Sequence, residues 1–353
     1  MDLKKIFIKD ACPTKMGGQA VMEGIMMKGE KKTALAVRVP NGNIEIETKT
    51  TKTYGKWMKV PIVRGVVAFI DALIVGTKTL MDSADVLEQY DDETYEPGRF
   101  EAWFEKKFGS EALWKLLITS SVVIALAFSI GVFILLPTWV ASAAKLISQN
   151  VIWINLVEGL LRIALFIGYI WAVSFMPDMK RVFRFHGAEH KTIHAFENLP
   201  QRQAEDGQDS CTGPDLKGLT VAECRQYPTL HPRCGTSFLM FVFIIALLCH
   251  VLLGWPVLWI RIVTRLLLLP VVAGLSYELL KWAGRSDSWP VKILSMPGLW
   301  LQKITTAEPD DDMLEVAIAA VKAVCDDTPL RKYTIKPETR YEYPHVWDLP
   351  DRR

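Results

Sequence analysis

From residue 116 onward the chain is dominated by long apolar runs separated by charged connections. Residues 116–140 carry no charged side chain, 151–176 carry only Glu158 and Arg162, and 236–260 carry none. Each exceeds the roughly 20 apolar residues that a helix needs to cross a bilayer. Residues 262–283 form a weaker fourth run, bracketed by Arg265, Glu278 and Lys281. Glu158 and Arg162 stand four apart, so a helix would let them neutralise one another. The pattern predicts a mainly α membrane protein with about four transmembrane helices.

Outside these runs the periodicity changes. Residues 33–49, "TALAVRVPNGNIEIETK", alternate apolar and polar positions on both sides of Asn41-Gly42, predicting a β-hairpin with a two-residue turn. Before it, "GGQAVMEGIMMKG" (17–29) reads as an ordered loop or short strand. Pro61 opens a helix over 62–88, in which Arg64, Asp71, Lys78 and Asp85 recur every seven residues. Its apolar part is too short to span, so an interfacial or protein-packed helix is expected. Residues 88–99 are acidic, broken by Pro97-Gly98, and read as a linker. Residues 310–327 form an amphipathic helix with Leu314, Ile318, Val321 and Val324 or Cys325 on one face. The tail from 328 to 353 reads as extended.

The expected organisation is therefore a small α+β cytoplasmic N-terminal module (1–100), a membrane body (101–286) whose loop 177–235 faces the cytoplasm, and a cytoplasmic C-terminal helix and tail (287–353). Orientation follows from basic residues near span ends. Lys106, Lys107, Lys115, Lys180, Arg181, Arg184, Lys191, Arg225, Arg233, Lys281, Arg285 and Lys292 fall on one side. Lys145, Arg261 and Arg265 fall on the other. Both termini are expected in the cytoplasm. The N-terminus has no apolar stretch long enough for a signal peptide.

Composition adds little that changes this picture. The 353 residues are half hydrophobic with a net charge of +2, which gives no reason to invoke nucleic acid. The six cysteines form no CxxC pair and read as free thiols in a reducing compartment.

Candidate chemistry concentrates in "RFHGAEHKTIHAFE" (184–197), which holds three of the six histidines. On a helix His186, His190 and His194 fall within about 80° of one another. The order His186-x-x-Glu189-His190 is the inverted zincin arrangement. Two imidazoles one turn apart can bind one divalent metal ion, Zn²⁺ being the natural choice, with Glu189 beside them as general base. His186 and His194 lie about 12 Å apart along the axis, so His194 is expected to serve as a second layer or as an alternative ligand. A third ligand is required. Glu278, or His231 and Cys234 in "LHPRCGTSF", can reach the same membrane face, with Glu23 a looser candidate. A Cys/His knuckle using Cys211 and Cys224 fits no standard spacing. Against all of this stands a plainer reading, a cationic interface helix touching anionic lipid.

The strings "GGQAVMEGIMMKG", "PIVRGVVAFIDAL", "RVFRFHGAEHKTI", "RCGTSF" and "GLSYELLKWAG" resemble the YqhQ-like family of bacterial membrane proteins, described as predicted metal-dependent enzymes. The resemblance implies a bacterial inner (cytoplasmic) membrane location and a metal centre. His186, Glu189, His190 and Cys234 lie inside the shared strings, and His194 lies just outside them. The combined expectation is a zinc-type hydrolase at the cytoplasmic face, cutting a peptide or amide bond. Its partners would be the lipid bilayer and a protein or peptide substrate. The rival expectation is a non-catalytic membrane factor that binds metal for assembly or regulation.

Overall fold

The computed structural model describes residues 6–7, 14, 16–52, 55, 60–90, 107, 109–199, 216–254, 256–283, 288–326 and 330–336. Most of the acidic stretch expected as a linker, the connection holding Cys211, and the tail beyond 336 lie outside these residues. The chain forms two compact units, residues 1–90, 170–245 and 263–353, and residues 91–169 and 246–262. The first unit thus draws on all three of the stretches that the linear organisation separates.

A five-stranded antiparallel sheet organises the first unit. Its strands are β1 (Gly17–Val21), β2 (Gly24–Lys28), β3 (Lys32–Arg38), β4 (Ile44–Thr50) and β5 (Lys332–Ile335), in that spatial order. Residues 17–29, expected as a loop or strand, form a hairpin turning at Met22-Glu23. The expected hairpin at 33–49 is present as β3–β4, but its turn differs. The amide of Gly42 donates to Val39 O at 2.8 Å, and that of Val39 to Asn43 O at 3.0 Å. Of Asn41 and Gly42 only the glycine has positive φ, 87°. Pro40 starts the turn, because its ring supplies the negative φ required there. The two-residue turn expected on Asn41-Gly42 is thereby corrected to a three-residue loop closing on a glycine.

Pleating divides the sheet's side chains between two cores. Ile25, Met27, Ala34, Ala36, Ile44 and Ile46 pack against helices α5 (Pro177–Asn198) and α10 (Asp311–Cys325). Val21, Met26, Leu35 and Val37 pack against Val86 of helix α1 (Val63–Glu88). The helix expected at 310–327 is present, and its burial is wider than one face. Val316, Ala317, Ala320 and Ala323 are buried along with Leu314, Ile318 and Val321. Small residues let it lie in the angle between sheet and α5. The fully buried Arg38 of β3 donates to Glu315 at 2.8 Å, to Asp312 O at 2.8 Å and to Gly42 O at 3.0 Å.

Helix α1 inverts the usual pattern. Its small and polar residues Gly65, Asp71, Gly76, Thr79 and Ser83 are buried, while Ile70, Leu73, Ile74, Leu80 and Met81 are exposed. Asp71, one of its heptad-spaced charges, is buried in an ion pair with Lys28.

Four helical segments are long and apolar enough to cross a membrane: Thr119–Ala144, Val151–Val173, Gly235–Leu252 and Trp259–Ala283. The first runs from α2 (Ser110–Ile130) through a π-helical turn (Gly131–Leu135) into α3 (Leu136–Ala144). The second is α4 (Val151–Val173). The short helix α6 (Val221–Arg225) precedes the third, α7 (Gly235–Leu252), and the fourth lies in α8 (Leu258–Ala283). Within the second unit the expected pair forms between Glu158 and Arg162. Thr138 donates to the same carboxylate at 2.9 Å, and Arg162 donates to Phe133 O in the π-helical turn at 3.2 Å. Helix α9 (Trp289–Thr305) lies in a region that the apolar pattern leaves unassigned.

The Arg38 side chain supports β3, the β3–β4 loop and α10 together. Arg38→Ala strands Glu315 and the two carbonyls, and is expected to cost about 3–5 kcal/mol, as for a broken buried ion pair. A fall in the thermal midpoint of the purified chain measures it. An unchanged midpoint would remove this role.

Candidate metal centre

Helix α5 begins at Pro177, whose fixed φ suits the first helical position. Every residue from Gly187 to Glu197 is buried, so this part of the helix is enclosed on all sides. At Gly187 the helix meets the chain after α9 so closely that a Cβ would lie 2.0 Å from Ala307 O. The amide of Ala307 donates to Phe183 O at 2.9 Å. This contact carries the carbonyl of Thr305 to His186, whose Nδ1 lies 2.8 Å from it. One turn later the Nδ1 of His190 lies 2.5 Å from Thr229 O. A carbonyl can only accept, so both Nδ1 atoms carry the hydrogen, and in the neutral ring each Nε2 presents a lone pair.

Those lone pairs meet a sulfur. His186 Nε2 is 3.1 Å from Cys234 Sγ. His190 Nε2 is buried with no well-formed hydrogen bond. One donor atom from each of His186, His190 and Cys234 falls within 4.8 Å of the others, making this the one cluster of metal-binding type among the described residues. The fit to a divalent ion rests on this orphaned nitrogen and on the donor set: two oriented imidazoles and one thiol.

Cys234 is placed by an embedded scaffold. Gln302 of α9 accepts from the amide of His231 at 2.8 Å and donates to His231 O at 2.8 Å and Ser237 Oγ at 2.9 Å. Arg233 is held by Glu197 and donates to Thr14 O at 3.0 Å. Thr14 in turn donates to Glu197 through its amide and hydroxyl, both at 2.8 Å.

Glu189 is buried beside the cluster. Strand β1 passes so close that a Cβ on Gly18 would lie 2.8 Å from its carboxyl carbon, so a side chain there would push the carboxylate aside. Burial pushes the Glu189 pKa up, against the pull of His186 and His190. Burial likewise opposes a charge on Cys234, but His186 and His190 outweigh it and hold the thiol well below its usual range. At His186 burial disfavours the proton, but Cys234, then Glu189 and the Thr305 carbonyl, push the pKa up to about 9. The cluster is thus arranged for a thiolate beside an imidazole that shares its charge.

The other candidate ligands do not join it. Glu278 of α8 is taken by a two-pronged ion pair with Arg64 of α1, whose fork matches a carboxylate. His231 and Cys234 do not act as a chelating pair. The Nδ1 of His231 accepts from the amide of Arg233 at 3.2 Å, and its ring centroid is 5.6 Å from that of His190. His194 has Nε2 3.0 Å from Leu230 O, so it stitches α5 to the loop before Cys234. Glu23 is engaged by Arg181. Cys224 is buried, which pushes its thiol up to about 11 and makes it a poor ligand. Sequence reasoning did not single out Gly18, Gln302, Thr229 or Thr305. Gly18 stands in a string already noted. The other three act through backbone or an unassigned helix.

The family described as "Protein of unknown function (DUF1385)" matches residues 60–327. The chain belongs to that family. It is 35% identical over 337 residues to "Uncharacterized protein YqhQ" of Bacillus subtilis (strain 168), an alignment covering 93% of this chain and 98% of the relative. No solved structure matches. The family match includes His186, Glu189, His190 and Cys234, and the alignment's extent shows that the likeness is not confined to the membrane-length helices.

His194 gives a pH dependence. Burial lowers its pKa to about 4, and His231 is displaced in the same direction. In the unfolded chain a histidine titrates near 6.5, so acid protonates the unfolded state first and stability is lost as pH falls from about 6.5 toward 4. For His194 the loss approaches about 3 kcal/mol. The destabilisation caused by His194→Gln is therefore expected to shrink between pH 7 and pH 4.5 when unfolding is followed at each pH. A pH-independent difference would refute it.

Proposed function

We propose that this protein is a zinc-type metal-dependent hydrolase at the cytoplasmic face of a bacterial membrane, with both termini inside. The observation that carries the reading is the convergence of His186 Nε2, His190 Nε2 and Cys234 Sγ, with the second nitrogen of each ring already donated to a main-chain carbonyl. Those three side chains would hold the ion. A thiolate among the ligands suits zinc over the harder divalent cations. When bound, such an ion supplies Lewis-acid chemistry: it acidifies water and polarises a carbonyl. Three protein ligands leave a tetrahedral ion one position for an exchangeable group, as catalytic sites require.

The chain's own residues divide the remaining work. Thr229 and Thr305 fix the tautomer and aim of the imidazoles. Glu189, raised in proton affinity by burial and lying beside both histidines, would take a proton from water and return it to a leaving nitrogen or oxygen. Gly18 admits strand β1 against that carboxylate and holds it out of bulk water. The bond cut is expected to be an amide or an ester.

A second reading has one specific observation behind it. The 3.1 Å contact between His186 and Cys234 also suits a nucleophilic thiolate activated by an imidazole. Metal analysis separates the two. Purified full-length protein is expected to carry stoichiometric zinc, His190→Ala and Cys234→Ser to lose it, and Glu189→Gln to keep it while losing hydrolysis by about 10²–10⁴-fold. Wild-type protein without metal, whose Cys234 is alkylated by iodoacetamide at pH 6, would favour the nucleophile.

The orientation has its own test. Reporter fusions after residues 110, 148, 210 and 300 are expected to read inside, outside, inside and inside, from the lopsided distribution of basic residues. An outside reading at 210 would place α5 on the wrong face and refute the cytoplasmic assignment.

A further inference from the structure

A groove of about 590 Å³ opens between strand β1 and helices α1, α7 and α8, within the roughly 300–1,000 Å³ typical of ligand clefts. Gln19 of β1, Ala72 and Leu73 of α1, Gly235 and Leu239 of α7, and Tyr277 of α8 form its walls. Its lining carries no charged side chain. Two of its wall residues are chain neighbours of the site. Gly235 directly follows Cys234, and Gln19 directly follows Gly18, against which the Glu189 carboxylate lies. Gln19 also donates to Gly76 O of α1 at 3.2 Å, tying the strand to the groove's far wall.

At its other side the groove joins the exposed apolar stripe of α1. Leu73 and Leu80 belong to both, and Ile70, Ile74 and Met81 continue the stripe outward. In a soluble protein such a stripe would be an anomaly. On a helix packed against α7 and α8, both of membrane-crossing length, it is a surface for hydrocarbon. Gly65 of α1 sets that packing, since a Cβ there would lie 2.8 Å from Gly274 Cα and from Tyr277 Cβ. The occupant can be argued from polarity. A peptide laid in the groove would set its N–H and C=O groups against walls that offer few partners, at a cost for each unpaired group. A hydrocarbon chain brings no such groups.

We propose that the groove seats one acyl chain of a bilayer phospholipid, entering from the α1 stripe, with its carbonyl-bearing head directed past Gly235 to Cys234. This names the substrate class for the hydrolase reading and rests on that reading for the fate of the head, whereas occupancy of the groove stands apart from it.

The probe is phosphatidylglycerol carrying a diazirine on one acyl chain, irradiated with full-length protein in detergent micelles and mapped by peptide mass spectrometry. Labelling is expected to peak on the peptides holding Leu239 and Tyr277. Ala72 and Thr77 line the groove and are exposed, so Ala72→Trp and Thr77→Trp can fill it without entering the core. Each is expected to cut labelling about tenfold, as for denying burial to roughly two methylenes. Ile74→Trp, exposed on the same helix outside the groove, and His190→Ala should leave it unchanged. Full labelling in both groove variants, or wild-type labelling spread evenly over the four long helices, would overturn the proposal. The expected labelling in a protein that holds no zinc would uphold the groove and remove the hydrolase reading instead.

Discussion

Two peptide carbonyls, those of Thr229 and Thr305, decide what the histidines of α5 can do. A neutral imidazole has one hydrogen and one lone pair, and the partner of one nitrogen settles the state of the other. Because each Nδ1 faces a carbonyl, both Nε2 lone pairs turn toward Cys234. The carbonyls are themselves held firmly. Thr305 ends α9, which Gln302 bolts to the 231–237 stretch, and Ala307 closes on Gly187. Thr229 precedes Leu230, whose carbonyl accepts from His194. One helix is thereby fastened to the segments on both sides of it through its own histidines, and the fastening is what aims the remaining nitrogens.

How much of this could be read from the sequence depended on whether a feature was local. The histidine spacing needs only 3.6 residues per turn, and the β3–β4 alternation needs only the pleat, so both were legible. Cys234 was named because it stands close in sequence to a span end. Glu278 was named on the same argument and went elsewhere. Its partner Arg64 lies 214 positions away, and no pattern shows that α1 packs at Gly274 and Tyr277. Strand β5 was invisible for the opposite reason: "KYTI" is too short to show a period, and it takes its identity from Ile44–Glu47 alongside it. Helix α9 carries Pro297 in its interior and Gln302 at a fully buried position, both of which argue against a helix when read locally. Gln302 is tolerated because His231 and Ser237 satisfy its amide.

The sheet proves to be more than an attachment. Strand β1 meets the site at Gly18 and helix α1 at Gln19, two successive residues on opposite sides of the pleat. The carboxylate of Glu189 and the backbone of Gly76 are therefore held by one short edge strand. Displacing that strand would move the Glu189 carboxylate and open the groove wall in one motion. Gly18 allows the close approach, and Gln19, the first polar side chain after it, makes the connection.

Charge balance gives the last step. The cations around the site are already matched: Arg181 with Glu23, Arg233 with Glu197, and Arg64 with Glu278. Glu189 and Cys234 are left as two buried acidic groups beside the imidazoles of His186 and His190. Burying two uncompensated charges is costly. Protonation relieves part of that cost, and the raised pKa of His186 reflects it. A divalent cation would relieve it further and would also engage the Nε2 of His190, which has no well-formed hydrogen bond. One ion would answer both the charge and that nitrogen, which supports the proposed metal centre over a thiolate–imidazole pair.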